Sequence, residues 1–283
     1  MTTLLAHGDT VPIDDLPSAW RLDPLLFVLV TVGILLFAQA FWRLRRRGRD
    51  DLAGWDRLGL FALAVSVLLL ALASPLDAAG DEYLLSAHML QHVLIADLVP
   101  ALLIVAVRGP LVFFLLPQPV LRVVARPRWL RTALGFLVRP GVTLALWGLV
   151  IAAWHVPTVY DYTLTHRPVH DLEHASFLLV GLLVWNLLVD PARHGVLSVP
   201  ARLGVALVLF AAGQILANVL IFSTSPLYQA YAAQDERLFG LSPLTDQKLA
   251  GVVMMGEHLL TLGTCAALLL LGERRPRRRA RLA

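Results

Sequence analysis

The chain of 283 residues is 58% hydrophobic and only 16% charged, with a mean hydropathy of +0.70. Soluble domains have about 45–50% apolar and about 25% charged residues, so an ordinary soluble protein, a disordered chain and a disulfide scaffold are all excluded. The isoelectric point near 9.7 comes from arginines that flank apolar runs, and the lone Cys265 has no second cysteine to pair with.

A helix needs roughly 20 apolar residues to cross a bilayer. Seven stretches qualify: 24–42, 58–73, 84–107, 141–155, 172–189, 203–222 and 249–271. The first is too long, and lies too far into the chain, for a cleaved signal peptide. The fourth is the shortest and gains length if Leu134 to Val138 belongs to it. No internal repeat marks inverted transporter halves. The predicted class is all-α: a polytopic membrane protein with seven transmembrane helices. A 1–23 arm precedes a 24–272 membrane domain and a basic 273–283 tail.

Connections alternate in basic content: 20 of the 24 Lys and Arg residues fall on one side, in 43–57, 108–139, 190–202 and the tail. The bias predicts an outer N-terminus and a cytoplasmic C-terminus. The arginines then serve as topology signals and contacts for membrane lipid, and no nucleic-acid partner is expected, because stacking aromatics are not interleaved with them. Segment 110–131 is broken by Pro117, Pro119 and Pro127, and reads as a piece lying along the cytoplasmic interface.

Of the nine histidines, eight fall at or near the predicted outer face. His88 and His92 begin the third span, His155 closes the fourth, and His166, His170 and His174 lead into the fifth. His258 descends into the last span, His7 lies in the N-terminal arm, and only His194 is on the cytoplasmic side. His88/His92 and His170/His174 are spaced i, i+4, which stacks each pair on one helical face; His166 extends the second pair if that helix starts early. Two such pairs and His155 can surround one or two metal ions. Neutral imidazole suits copper, zinc and iron, and the thioethers of Met89 and Met254 would add a preference for Cu(I).

Plainer readings stand beside this one. Isolated His7, His166 and His194 read as interfacial polar anchors. Met89, Met254 and Met255 read as core packing, and Trp154, Tyr160 and Tyr162 as an aromatic belt. Asp97, mid-span, is either a proton-linked carboxylate or one auxiliary to a metal, or is simply hydrogen-bonded to a polar neighbour such as Asn218. Glu173 and Glu257 can orient the imidazoles beside them.

The sequences His88-Met89-Leu90-Gln91-His92, Trp154-His155-Val156-Pro157 with Tyr160, Leu172-Glu173-His174 with Ser176-Phe177, and Asp246-Gln247 with Leu249-Ala250-Gly251 and Met254 occur in this order. They resemble the seven-span CtaG family of bacterial cytochrome c oxidase assembly factors. The likeness runs from about Asp77 to Leu271 and includes Pro226, Tyr228 and Tyr231. It implies a non-enzymatic, multi-pass protein of the bacterial plasma membrane, needed to make an active haem-copper oxidase whose subunit would be its partner. On that basis His88, His92, His155 and His174, then His170, are the expected metal ligands, with copper as the metal and residues 223–248 as a cover. Met89, Asp97, Glu173, Met254 and His258 are expected in supporting positions. Two other readings remain: a haem-binding electron carrier, to which i, i+4 pairs are poorly matched, and a zinc- or iron-dependent membrane hydrolase or oxygenase.

Overall fold

The computed structural model describes residues 11–192 and 195–280, with side chains to Gly272; His7 and His194 lie outside them. The described residues are helical, with no strand. Six helices are long and apolar enough to cross a membrane: α1 (Pro24–Arg45), α2 (Trp55–Ala73), α4 (Leu85–Ala106), α9 (Arg167–Val189), α10 (Val199–Phe222) and α11 (Pro243–Ala280, apolar to Gly272). Between them lie α3 (Pro75–Glu82), α5 (Gln118–Ala125), α6 (Arg128–Leu137), α7 (Pro140–Trp154) and α8 (Pro157–Thr163).

The fourth predicted span is the one the structure alters. Helix α6 does not extend α7 as a straight rod: the two meet at 72°. Val138 leaves the helix and Pro140 starts the next, because a proline ring cannot sit inside a continuous hydrogen-bond ladder. Helical structure continues past the predicted end of the 110–131 segment, to Leu137. Helices α5 and α6 have no buried residue and break at Pro117 and Pro127, which stand at their N-caps.

Helix α4 is the centre of the bundle. It packs against α2, α3, α9 and α11, and α11 lies along α10. Midway along α4 the helix widens into a π turn over Leu94–Leu98. Pro100 lacks the N–H for the next ordinary bond, and Val99 N–H reaches back to Leu94 O. The turn presses Ala96 O and Pro100 against Gly181 of α9, where a Cβ would collide with both. Helix α1 is peripheral: Phe37 stacks on Phe61 with centroids 4.0 Å apart, and the Gln39 amide donates to Phe114 O and Leu115 O at 2.6 and 2.7 Å. Most of its remaining surface is apolar and exposed, as a lipid-facing helix requires.

Replacing Gly181 with alanine is expected to lower the unfolding temperature of the detergent-solubilised protein, at an overpacking cost of roughly 1–3 kcal/mol. Gly33→Ala on α1, where a Cβ meets nothing within 4 Å, should leave the unfolding temperature unchanged in the same assay.

A four-histidine cluster and its supports

Four of the expected histidines converge. His88 and His92 of α4 and His170 and His174 of α9 place ring nitrogens within 4.8 Å of one another. All four are buried, from 0% exposed for His88 to 8% for His174. The Nε2 atoms of His88 and His92 are 2.8 Å apart. Ring centroids are 4.2 Å apart for His170/His174, 5.2 Å for His88/His170 and 5.3 Å for His92/His174. The i, i+4 spacing on two neighbouring helices does this work: each pair presents one face, and the faces meet.

Carboxylates surround the rings. Asp81 Oδ1 lies 3.7 Å from His88 Nδ1 and 3.5 Å from His170 Nε2. Glu173 Oε1 lies 3.8 Å from Nε2 of His92, on the opposite helix. Asp81 was not among the expected site residues. It arrives on α3, held by Arg21, whose guanidinium is 2.6 Å from Asp77 and 3.4 Å from Asp81. Gly80 lets α3 come this close, since a Cβ there would meet the His88 backbone at 3.0 Å. The pair Asp77 and Asp81, at i, i+4 just ahead of the His88 motif, is the signal in the sequence.

Tyrosines close the other side. Tyr160 is not in an aromatic belt: it is 1% exposed, with its ring 5.3 Å from His88. Tyr231 Oη donates to Gly80 O at 2.7 Å and lies 2.9 Å from His88 Nδ1. Burial holds the Tyr231 hydroxyl well above its ordinary pKa, so it is a neutral phenol with one proton. That proton goes to Gly80, so His88 Nδ1–H must be the donor to Tyr231 and His88 Nε2 carries a lone pair aimed into the cluster.

The remaining motif residues hold this arrangement. Gln91 donates to Ala71 O at 2.8 Å and to Asp77 Oδ1 at 2.6 Å, tying α4 to α2 and α3. Asp246 of α11 accepts Leu85 N–H at 2.7 Å and Ser86 N–H at 3.2 Å, capping the helix that carries His88 and His92. Gln247 accepts Leu227 N–H at 2.7 Å, which fixes the segment bearing Tyr228 and Tyr231. The last residues of the 223–248 connection already belong to α11, which starts at Pro243.

Other expected residues lie elsewhere. His155 is outside the four; its Nδ1 donates to Ile151 O at 2.8 Å and its ring lines a cavity below the cluster. Helix α9 starts at Arg167, so His166 does not extend the pair; it is exposed and stacks on Tyr162 at 3.7 Å. Met89 and Met254 belong to the apolar core around Tyr160 and Tyr231, and line the same cavity as His155. Asn218 is exposed and is not the partner of Asp97. Asp97 accepts instead from Trp185 Nε1 and, at 2.7 Å, from Thr261 Oγ1, and it groups with Glu257 and His258.

Residues 35–275 match the family described as cytochrome c oxidase caa3 assembly factor. The chain belongs to that family. Comparison with curated proteins and with solved structures gives no match. The match spans the whole cluster and its supports other than Arg21, from within α1 to the end of the last apolar helix, so this assembly factor carries its buried histidines inside the family's own region.

In the metal-free assembly factor, 15N chemical shifts are expected to report His88 as the Nδ1–H tautomer. Tyr231→Phe, which removes the acceptor of that proton, should redistribute His88 toward the Nε2–H form in the same spectrum.

Proposed function

We propose that this assembly factor holds copper at His88, His92, His170 and His174 and assists its delivery to a haem-copper oxidase subunit. The single observation that carries the reading is the convergence of four buried imidazoles from two helices, in a family tied to that oxidase. An ion bound tetrahedrally at about 2.0–2.1 Å from each nitrogen sets neighbouring nitrogens about 3.3 Å apart. The His88 and His92 Nε2 atoms, 2.8 Å apart, need only open by a few tenths of an ångström to share one. His88 Nε2, with its lone pair turned toward His92, is in the form a metal needs. Asp81 and Glu173 supply negative charge beside it.

The donor set is all nitrogen, so the expected preference for Cu(I) through thioether does not arise at the four histidines. The same set accepts zinc. Copper is favoured here because it is the metal the family's client needs, and the ion is cargo. Haem fits poorly, because rings with centroids 4.2–5.3 Å apart leave no plane for a macrocycle between axial ligands.

Access is uneven, and that suits transfer. His170 and His174 line an apolar groove of about 400 Å³ between α1, α2, α4 and α9, whereas His88 and His92 are absent from it. In this reading the protein lies in the bacterial plasma membrane with its N-terminus and histidine end outward, the groove opens laterally to a client membrane subunit, and no reaction is catalysed. Ligand exchange would start at His174 and His170.

Purified protein expressed with copper is expected to hold about one copper per chain, lost in His88→Ala/His92→Ala. In cells, either single substitution should leave membrane insertion intact and abolish oxidase maturation, while His166→Ala should be silent. Equal oxidase activity and equal copper content in all variants would overturn the reading.

A further inference from the structure

We propose that Asp97, Glu257 and His258 form a second cation site, deeper in the bundle than the four histidines and suited to a harder divalent ion. It does not rest on the copper reading, since it shares no ligand with that cluster. The three side chains bring two carboxylate oxygens and one imidazole nitrogen within 4.8 Å of one another. Asp97 leaves α4 at the π turn, five residues beyond His92, or about 7–8 Å along the axis. Widened turns of this kind recur where a helix serves a site.

Several independent features point to a ligand there. Both Glu257 oxygens and His258 Nδ1 are buried; Glu257 faces the Asp97 carboxylate, itself an acceptor, and the Thr261 hydroxyl, whose proton goes to Asp97. Buried polar atoms are otherwise almost always paired. Asp97 is oriented by Trp185 and Thr261, one donor on each oxygen, which leaves each oxygen a further lone pair. The imidazole of His258 occupies a notch in α10 that exists because residue 213 is glycine; a Cβ there would overlap the ring.

Charge argues in the same direction. Two adjacent carboxylates inside a membrane protein need either a shared proton or a positive partner. A cavity of about 50 Å³ adjoins Asp97 and His258, lined also by His155, His92, Met89 and Met254 among others, with no lysine or arginine in its wall. A divalent ion would balance both carboxylates at once. Two carboxylates and one imidazole suit manganese, iron(II) or zinc better than Cu(I).

The same cavity is lined by His92 of the four-histidine cluster and by Asp97 and His258. His155, which also lines it, donates from Nδ1 to Ile151 O, so its buried Nε2, without a partner, carries the ring's lone pair.

The test uses Mn2+ as the probe, added to the purified full chain in detergent and read by EPR. Wild-type protein should bind Mn2+ with electron spin-echo modulation from a single imidazole nitrogen. Glu257→Gln and His258→Gln should weaken that binding at least ~10-fold, while His88→Ala/His92→Ala should retain it. Failure of wild-type protein to bind Mn2+, as expected if a proton shared by Asp97 and Glu257 neutralises the pair, would overturn the proposal. So would binding that persists in the folded variants. If the variants do not fold, the wild-type nitrogen count decides: one nitrogen supports the site, and none or several overturns it. Wild-type protein that binds Mn2+ here but holds no copper at the four histidines would sink only the copper reading.

Discussion

Imidazoles and carboxylates buried among apolar helices must be satisfied inside the protein, because lipid supplies neither hydrogen bonds nor counter-charge. This constraint organises the molecule. His88 is met by Tyr231, His92 and Asp81; Asp81 by Arg21; Asp77 by Arg21 and Gln91. Each polar group calls for another, and the chain of requirements runs from the N-terminal arm through α3 and α4 to α9 and the segment before α11. What the family motifs encode is largely this network.

The motif His88 to His92 shows how five consecutive residues divide that task. Two imidazoles face α9. Met89 enters the apolar core, Leu90 faces outward, and Gln91 binds α2 and α3. A helix of 3.6 residues per turn brings the first and fifth residues to one face and gives the three between them directions of their own. Asp246, 161 positions from its partner Leu85, caps the same helix. Its place beside the other motifs follows from that one bond.

The spans were legible because twenty-residue apolar runs are a strong signal, and the paired histidines because i, i+4 spacing survives any tertiary arrangement. The rest depended on distance and direction. Nothing in the sequence says that Tyr160 turns inward while Tyr162 stays exposed, since both sit in the same short helix. His155 stands two residues before Pro157 at the end of α7, and its Nδ1 folds back onto Ile151 O, which also accepts the His155 backbone N–H. A partner for Asp97 could be guessed only by depth. Trp185 and Thr261 lie on two other helices, and their approach is set by packing against the π turn, which composition does not reveal. Asp81 was overlooked for a simpler reason: an acidic residue between spans reads as solvated until α3 folds back onto the bundle.

Helix α7 has 15 residues, about 22 Å of rise, against a hydrocarbon thickness of about 30 Å. Because α6 turns away at 72°, it cannot make up the difference. A span this short is matched by a thinner bilayer beside it, by flanking side chains such as Arg139 reaching back to the interface, or by association with a neighbouring chain. The flank that ends in His155 is therefore where the lengths of helix and hydrocarbon disagree most.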